Sequence, residues 1–353
     1  MIEASLMPAT FRAAVLVESR ALLEVMELEF PAELLPGQVL IRVIYSGACA
    51  SQVHEIDARK GVDAYLPHML GHEAVGEVVL CGPAVTTKRP GEMVIAHWRK
   101  SLGHDAGAAK FMSKMGLVNA GPVATFAEYA VVSENRLSPL PASIPLESAP
   151  LLGCALTTGF GAVVREAQVS PGQSAVVVGF GGVGISILKA LHLVSSFPIV
   201  VVDISEEKLA LAESMGADEV ILSDGSVGSI ESQVRAVFPT GADFVFEVTG
   251  SRTPIEEAYA VTNQSGCTVL VGVPAAADPA SLPTLPLHLG RRLIGSHGGS
   301  SEPDVDIPRI GSLVASGKIR LDDFPTTIFS LSDVNSALDA LRSGTLGRII
   351  LKP

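Results

Sequence analysis

The feature that most constrains the fold of this chain is a glycine-rich turn between two apolar segments. A valine-rich run, Gln173–Val178, leads into Gly179-Phe-Gly181-Gly-Val-Gly184, and an apolar, helix-like segment follows. In a G-x-G-x-x-G turn the first glycine permits the tight turn and the second admits a pyrophosphate close to the backbone. The third lets the helix pack against the strand. This order predicts a strand–turn–helix unit whose helix N-terminus binds phosphate.

An acidic residue at the end of the next strand makes the prediction more specific. The apolar run Ile199–Val202 is followed by Asp203, about 20 residues past the last glycine, where a carboxylate binds the ribose hydroxyls of a dinucleotide. A negative charge there also repels the 2′-phosphate of NADP. The pattern predicts NAD binding, although a strand–turn–helix without a ligand has the same outline. The predicted binding residues are Gly179, Gly181, Gly182, Gly184 and Asp203.

The chain divides into a β-rich first part and a second part in which strands and helices alternate. Short apolar runs such as Phe11–Val17, Gln38–Val43 and Ala74–Leu80 are separated by proline, glycine and charged residues, as in a barrel or sandwich. From Gly159 on, helix-like and strand-like runs alternate, from a helix over Gly159–Ala167 to a strand over Thr268–Val273, which predicts βαβ units and a parallel sheet. Lys100–Pro122 shows no regular pattern and is expected to form a long loop or lobe.

Length and composition argue against several classes of protein. With 353 residues the chain is long enough for two domains, and 48% apolar residues allow a large core. A net charge of −12 argues against nucleic-acid and anionic-membrane partners, which require basic surfaces. The most apolar stretch, Ser174–Val202, contains a glycine cluster that favours a strand, a turn and a helix over a membrane span. The first residues lack the pattern of a secretory signal, so we expect a cytoplasmic protein.

The four cysteines are too few and too scattered for a disulfide framework. Cys49, His72 and Cys154 are candidates for metal binding, because two thiolates and one imidazole form a catalytic zinc set with the fourth position open. Their spacing alone matches no metal motif, however. A single cysteine is usually a small buried hydrophobe, and this is our interpretation of Cys81 and Cys267.

Five segments taken together indicate a family. SGACASQVH, LGHEAVGEV, LLGCALTTGFGA, VVVGFGGVG and VVDISEEKLALAESMGA resemble, in this order, segments of the zinc-dependent medium-chain dehydrogenase/reductase family of the alcohol dehydrogenase type. The resemblance extends over essentially the whole chain. It implies an α/β fold class, with a β-rich, GroES-like catalytic domain over residues 1–154, completed by 298–353. Residues 155–297 would form an NAD-binding domain with a Rossmann-type, doubly wound parallel sheet.

The resemblance also implies one catalytic zinc and a proton relay beside it. The zinc ligands would be Cys49, His72 and Cys154. Glu73 would lie behind the metal, where it could approach the ion or pair with Arg348. Ser51 would hydrogen-bond the reacting oxygen of the alcohol. His54 would pass the proton to solvent, because an unperturbed imidazole titrates near neutral pH.

Cofactor and substrate contacts are implied in the same way. Packing on the nicotinamide, or hydrogen bonding to it, would come from Thr158, Val183, Val271 and Val273. Lys208 would lie near the adenosine ribose, and Arg348 would reach the pyrophosphate. His97 and Trp98 would line the substrate cavity, where the only tryptophan of the chain would form a flat apolar wall.

Three positions depart from the usual pattern of this family. Lys100–Pro122 contains no cysteine, so we expect no structural zinc. Gln52 stands in place of the aspartate that orients the histidine ligand, and such changes alter metal affinity or activity by about 10–100-fold. Ala50 stands in place of a basic or polar residue near the pyrophosphate, which predicts faster release of the cofactor.

The predicted reaction is hydride transfer between NAD and an alcohol, such as a polyol or a sugar-derived alcohol, giving the aldehyde or ketone. One alternative is a zinc-free quinone or enone reductase of the same superfamily, which would lack the cysteine and histidine ligands. The other is a non-catalytic NAD-binding protein, against which the presence of Ser51 and His54 argues. The expected partners are a small-molecule alcohol or carbonyl compound and further copies of the chain, as a homodimer or homotetramer.

Overall fold

The computed structural model describes residues 8–353, which fold into two compact units. The first comprises the described residues up to Cys154, with Glu302–Leu321 and Pro325–Pro353, and the second comprises Ala155–Ser301 and Asp322–Phe324. Within the described part of the chain, no helix is both long and apolar enough to cross a bilayer. The catalytic and NAD-binding roles expected of the two domains stay predictions.

Strands and helices are numbered along the chain. The strands are β1 (Thr10–Leu16), β2 (Glu24–Glu29), β3 (Gln38–Ala48), β4 (His68–Met69), β5 (Ala74–Cys81), β6 (Met93–Ala96), β7 (Lys110–Ser113), β8 (Gly116–Asn119), β9 (Tyr129–Ser133), β10 (Leu137–Pro139), β11 (Ala175–Val178), β12 (Ile199–Asp203), β13 (Glu219–Leu222), β14 (Ala242–Glu247), β15 (Thr262–Leu270), β16 (Arg292–Gly295), β17 (Thr326–Ser330) and β18 (Arg348–Lys352). The helices are α1 (Ala50–Ile56), α2 (Ala155–Gly161), α3 (Gly182–Leu193), α4 (Glu206–Ser214), α5 (Ser229–Val237), α6 (Arg252–Ala260), α7 (Leu285–His288), α8 (Pro303–Ala315) and α9 (Val334–Arg342).

A closed barrel and a second sheet form the first unit. The barrel has the strand order β1-β2-β7-β8-β4, and the second sheet has the order β10-β6-β5-β3-β18-β17, with β9 also paired to β3. Strand β3 pairs with β5, β9 and β18, and nearly all of its side chains are buried. The C-terminal strand β18 is therefore part of a sheet that otherwise comes mostly from the N-terminal half of the chain.

Several apolar clusters stabilise this unit, among them one inside the barrel and one beside α1. Aromatic rings fill the barrel, and the centroids of Phe11 and Phe111 are 5.2 Å apart in an edge-to-face arrangement. A second cluster joins α1 to α9 and β18 through Val53, Leu338 and Ile349. Burial of each large apolar side chain contributes about 1.5–3 kcal/mol. The second cluster thus holds α1, which carries candidate functional residues, against the C-terminal helix.

A six-stranded parallel sheet forms the centre of the second unit. Its strand order is β13-β12-β11-β14-β15-β16, which is the order of the doubly wound sheets that bind dinucleotides at their carboxyl edge. Every residue of β11 and β12 is buried. Parallel sheets are covered on both faces, and this explains the continuous runs of valine in these strands.

The elements follow the predicted pattern with three corrections. Lys100–Pro122 contains a hairpin of β7 and β8, whose four-residue strands are too short to show a clear alternation of apolar and polar residues. The helix predicted over Gly159–Ala167 begins at Ala155 and continues as a π-helical turn after Gly161. The strand predicted over Thr268–Val273 begins at Thr262 and ends at Leu270, because the next two N–H groups both donate to the carbonyl of Glu247.

Candidate metal centre and nucleotide site

Three side chains that could hold a metal ion meet in the first unit. Cys49 immediately precedes α1, His72 lies between β4 and β5, and Cys154 follows the short helical turn Ala149–Gly153. One ligand atom from each residue lies within 4.8 Å of the other two. Folding therefore brings together three residues that are distant in the sequence.

The chemistry of this donor set fits zinc. Zinc prefers sulfur and imidazole nitrogen, and three protein ligands leave the fourth position for substrate. The Nε2 atom of His72 is buried and has no hydrogen-bond partner among the described residues, which suits an atom that binds a metal. A hydrogen bond from the Cys154 thiol, with further contributions from His72 and Arg348, outweighs burial and lowers the pKa of Cys49. The thiolate, which is the form that binds metal, is thereby favoured.

Gln52 connects two of these three residues. Its Oε1 accepts a hydrogen bond from the backbone N–H of Cys49 at 2.9 Å, and its amide nitrogen lies against Nδ1 of His72. If His72 binds a metal through Nε2, its Nδ1 keeps the proton and requires an acceptor. The amide of Gln52 has one acceptor atom for these two donors, whereas a carboxylate would have two.

A buried ion pair lies beside the candidate metal ligands. Glu73 is fully buried and contacts the guanidinium group of Arg348 in β18. Burial raises the pKa of Glu73, and the adjacent Arg348 opposes that rise. The space for Glu73 depends on two glycines, since a Cβ on Gly47 would lie 2.3 Å from its Oε1 and one on Gly153 would lie 2.8 Å from its Cβ. The structure thus contains the Glu73–Arg348 pair, while contact of Arg348 with a pyrophosphate stays a prediction.

The two residues predicted to move the proton both lie on α1. Ser51 is in its first turn, and its Oγ is buried without a hydrogen-bond partner in residues 8–353, so it is able to bond a ligand. His54 lies one turn further along, on the same face of the helix. Burial, followed by the charges of Arg59 and Lys60, lowers the pKa of His54, so its imidazole is neutral at neutral pH and can accept a proton.

The glycine-rich turn combines an open helix end with close packing. Gly179 follows β11 with φ of +96°, a conformation that residues with a side chain rarely adopt. A Cβ built on Gly181 meets no atom within 4 Å, so the N-terminal end of α3 is open to a ligand. A Cβ on Gly184 would lie 2.2 Å from the carbonyl oxygen of Gly179, which shows how closely α3 approaches the strand. Gly182 and Val183 begin α3.

Asp203 ends β12 next to this turn. Its Oδ2 accepts a hydrogen bond from the N–H of Phe180 at 2.6 Å, and its Oδ1 accepts one from the N–H of Ser205 at 3.0 Å. The carboxylate therefore holds the glycine-rich turn against β12, a contact that the sequence did not predict. The other predicted cofactor residues of this unit are Thr158 in α2, Lys208 in the first turn of α4, and Val271 and Val273 after β15.

Two family models match complementary parts of the chain. The model described as alcohol dehydrogenase GroES-like domain matches residues 35–142, and the model described as zinc-binding dehydrogenase matches residues 182–313. Together they cover well over half of the sequence. The chain belongs to the zinc-type medium-chain alcohol dehydrogenase family. The predicted family and fold class are thereby confirmed.

Solved structures resemble this dehydrogenase over nearly its full length. An alcohol dehydrogenase zinc-binding domain protein from Burkholderia ambifaria is 27% identical, with a TM-score of 0.87 over 97% of this chain and 98% of the other. Benzyl alcohol dehydrogenase from Acinetobacter calcoaceticus is also 27% identical, with a TM-score of 0.86 over 97% of this chain and 99% of the other. Acetophenone reductase from Geotrichum candidum, solved in complex with NAD, is 20% identical with a TM-score of 0.79 over 98% of each chain, which is a likeness of fold.

The two predicted substrate residues of the dehydrogenase have different surroundings. His97 is 1% exposed, and its ring nitrogens lie 2.7 Å from the carbonyl oxygen of Arg99 and 3.0 Å from Oγ of Ser138. Burial lowers the pKa of His97 to about 4. This arrangement favours a structural role for His97 over the predicted contact with substrate. Trp98 is half-buried, with the Arg99 guanidinium carbon 5.5 Å from its ring centroid.

A cavity beside the candidate metal ligands of the dehydrogenase contains residues that sequence reasoning missed. It measures about 410 Å³ and includes His72 in its wall. The lining consists of Gln52, Glu55, Tyr65, His68, Met69, Leu70, Gly71, His72, Ala108, Asn119, Ala120, Gly121, Pro122 and Val123. Most of these residues belong to irregular segments without a motif. The one signal available in the sequence was that Glu55 lies shortly after Cys49 and His68 shortly before His72.

Another residue that sequence reasoning missed lies at the carboxyl edge of the parallel sheet of the dehydrogenase. Glu247 ends β14, is fully buried, and accepts hydrogen bonds from the N–H and hydroxyl of Thr249 and the N–H of Gly250. Burial raises the pKa of Glu247. It holds the loop after β14 in place, and an acid at the end of an apolar strand, as in FVFEVTG, was the signal for it.

Proposed function

We propose that this dehydrogenase interconverts an alcohol and its aldehyde or ketone, with NAD as the hydride carrier and one catalytic zinc. The observation that carries the proposal is the convergence of Cys49, His72 and Cys154 around a buried Nε2 of His72 that has no hydrogen-bond partner in the described chain. A zinc-free reductase of the superfamily would lack this donor set, and a non-catalytic NAD-binding protein does not require it.

The proposed oxidation removes a hydride from the alcohol carbon and a proton from its oxygen. Zinc held by the three ligands would polarise the substrate oxygen as a Lewis acid. Ser51 then hydrogen-bonds the reacting hydroxyl through its Oγ, and His54 accepts the proton and releases it to solvent. Glu73 places a carboxylate next to the proposed ligands, and the guanidinium group of Arg348 balances its charge.

The choice of NAD rests on the second unit. The open N-terminal end of α3 at Gly181 suits a pyrophosphate, and the Asp203 carboxylate next to it suits the ribose hydroxyls. The same carboxylate would repel the 2′-phosphate of NADP. We further propose that the protein is a homodimer or homotetramer, formed by edge-to-edge pairing of parallel sheets through β16, which lies at the edge of its sheet.

The cavity beside His72 favours an alcohol with an apolar body. Met69, Leu70, Pro122 and Val123 contribute apolar walls to it, and such walls bind aromatic or aliphatic groups. The similarity to benzyl alcohol dehydrogenase supports the same class. We therefore place aromatic and aliphatic alcohols before the polyols and sugar-derived alcohols that the sequence suggested.

Metal analysis combined with an alcohol panel tests the proposal. The wild-type protein is expected to contain zinc and to reduce NAD with benzyl alcohol. Cys154→Ser is expected to lose at least 100-fold in kcat/KM, about 3 kcal/mol of transition-state stabilisation. Cys81→Ser, which changes a thiol outside the donor set, is the matched control and should keep full activity. A fully active preparation without metal, or full activity in Cys154→Ser, would contradict the proposal.

A further inference from the structure

A second group of metal-binding side chains lies in the first unit, apart from Cys49, His72 and Cys154. It consists of Glu55 on α1, Asp63 in the loop that follows, and His68 at the start of β4. One ligand atom from each lies within 4.8 Å of the other two. Neither the sequence pattern nor the family resemblance predicted this group.

The hydrogen bonding of His68 points to a cation at its Nε2. Its Nδ1 lies 2.9 Å from the carbonyl oxygen of Met69, and since that oxygen can only accept, Nδ1 carries a proton. In a neutral imidazole Nε2 then carries a lone pair and no proton. Yet it lies 2.7 Å from Oδ2 of Asp63 and 3.9 Å from Oε1 of Glu55, which are themselves acceptors. Acceptor atoms at this separation require a positive charge, either a second proton on the ring or a metal ion.

The surroundings of His68 and Asp63 suit a bound metal ion. Their side chains are only 7% and 11% exposed, so the ligand atoms are already largely removed from water. A backbone carbonyl acceptor for Nδ1–H is the arrangement that orients histidine ligands in metal sites. Asp63 is also held in place, since its Oδ1 accepts a hydrogen bond from the N–H of Tyr65 at 2.9 Å. Two of the three ligands are therefore preorganised.

We propose that Glu55, Asp63 and His68 bind a second divalent ion of the zinc type. One imidazole and two carboxylates suit zinc or cobalt, whereas calcium and magnesium prefer oxygen alone. Two ligands at about 2.1 Å in a tetrahedron are about 3.4 Å apart. Binding an ion would therefore part Nε2 of His68 from Oδ2 of Asp63, which lie 2.7 Å apart, and draw in Oε1 of Glu55 from 3.9 Å. The Glu55 side chain is 46% exposed, so the ion has a route from solvent.

The position of this site suggests what the ion does. Glu55 and His68 both line the cavity that includes His72. An ion shared by Glu55, Asp63 and His68 would tie the loop of residues 57–67 to α1 and β4. That loop carries Tyr65, whose carbonyl accepts a hydrogen bond from the side chain of Asn119, another residue of the cavity lining. The second ion thus orders one wall of the proposed substrate cavity.

Cobalt binding distinguishes the two sites, because thiolate-to-cobalt charge transfer arises only from a site with cysteine ligands. The full-length protein is stripped of metal and titrated with Co²⁺, and bound metal is counted after dialysis. Wild type should bind two ions, and Cys154→Ser should lose the charge-transfer band but keep one ion. Asp63→Asn should keep the band and lose one ion. The double variant, Cys154→Ser with Asp63→Asn, should bind none.

Two further variants make the result decisive. His68→Gln removes Nε2 but keeps an amide that can donate to the Met69 carbonyl, and it should behave as Asp63→Asn does. Glu77→Gln, which removes a carboxylate paired with Arg42, should bind as wild type does. The second site is wrong if Cys154→Ser binds no more cobalt than the double variant, or if Asp63→Asn and His68→Gln keep the wild-type number. The charge-transfer band reports only on the cysteine site. Its absence from the wild type would therefore contradict the proposed function without bearing on the second site.

Discussion

Single side chains determine how well the metal centre can work. Gln52 has one acceptor atom between the backbone N–H of Cys49 and Nδ1 of His72. If zinc binds to Nε2 of His72, its protonated Nδ1 and the N–H of Cys49 would compete for this one oxygen. His54 has its pKa lowered by burial and by two neighbouring cations, which keeps the ring in the form that accepts a proton.

Gln52→Glu is expected to tighten zinc binding by about tenfold, because the isosteric carboxylate has an acceptor for each donor. Competition with a chromophoric chelator measures the affinity. Gln52→Leu removes the single acceptor and should weaken binding instead. Equal affinities for wild type and both variants would show that Gln52 does not orient His72.

His54→Gln is expected to lower kcat for alcohol oxidation by about 100-fold, through loss of the proton acceptor. In the wild type the rate should fall as pH decreases through the pKa of His54, and that limb lies below pH 6.5 because the pKa is lowered from 6.5. A pH profile of kcat from pH 5 to 9 measures this, and the acid limb should vanish in the variant. His288→Gln, at an exposed position, is the control. An unchanged acid limb in His54→Gln would assign the proton transfer to another group.

At the scale of elements, turns and short helices position the two candidate sites. In the glycine-rich turn, two glycines separated by one turn of helix have opposite surroundings, open at Gly181 and tightly packed at Gly184. In the first unit, Glu134 begins a 3₁₀ turn, and its carboxylate joins three segments. It accepts hydrogen bonds from the N–H groups of Thr86, Thr87 and His104 and from the Thr87 hydroxyl.

Gly181→Ala and Gly184→Ala should separate binding from folding. A methyl group on Gly181 meets no protein atom but occupies the space above the helix end, so NAD should bind at least tenfold more weakly while the thermal midpoint stays unchanged. A methyl group on Gly184 would lie 2.2 Å from a carbonyl oxygen, so the second unit should be destabilised. Calorimetry and fluorescence titration with NADH measure the two effects. The reverse pattern would refute the assignment of Gly181 to the pyrophosphate.

Glu134→Gln is expected to destabilise the fold by about 3 kcal/mol at pH 7. Burial raises the pKa of Glu134, but its backbone hydrogen bonds outweigh burial and hold the pKa at about 2, below the ordinary 4.5. Because the folded-state pKa is the lower one, the stabilisation is complete above about pH 4.5 and is lost as the pH falls towards 2. Urea unfolding of both proteins at pH 7 and pH 3.5 measures it. A difference that does not shrink at the lower pH would contradict this origin.

At the scale of the whole molecule, the C-terminal part of the chain completes the unit that the N-terminal part forms. Strand β18 pairs with β3, and its Arg348 is the partner of the fully buried Glu73. Removing one member of a buried ion pair leaves an uncompensated charge, whereas removing both does not.

Arg348→Met should therefore destabilise the first unit by about 3–5 kcal/mol, and Arg348→Met with Glu73→Gln should recover part of the loss. Thermal unfolding of the full chain, followed for each unit by hydrogen exchange, measures the change. Exchange in β3 and β18 should become faster, while β11 and β12 of the second unit should be unaffected. Equal stability of the single and double variants would mean that Glu73 is not charged in the folded protein.

Features that depend on neighbouring residues were predictable from the sequence. The turn from Gly179 to Gly184, the acid at the end of β12 and the parallel sheet follow from local patterns, because glycine conformation, strand length and valine content are properties of short segments. The hairpin of β7 and β8 was missed because four-residue strands carry too few alternating positions.

Only the tertiary structure brought together groups that are distant along the chain. The spacing of Cys49, His72 and Cys154 contains no motif, so the resemblance to a family was needed to name them. The group of Glu55, Asp63 and His68, the contacts of Gln52 with Cys49 and His72, and the buried surroundings of His97 depend on contacts between separate elements. Local backbone preferences act over a few residues, whereas hydrogen bonds and metal ligation depend on distances in space. For this protein the sequence by itself determined the elements and the nucleotide turn, and packing decided which side chains can share a proton or an ion.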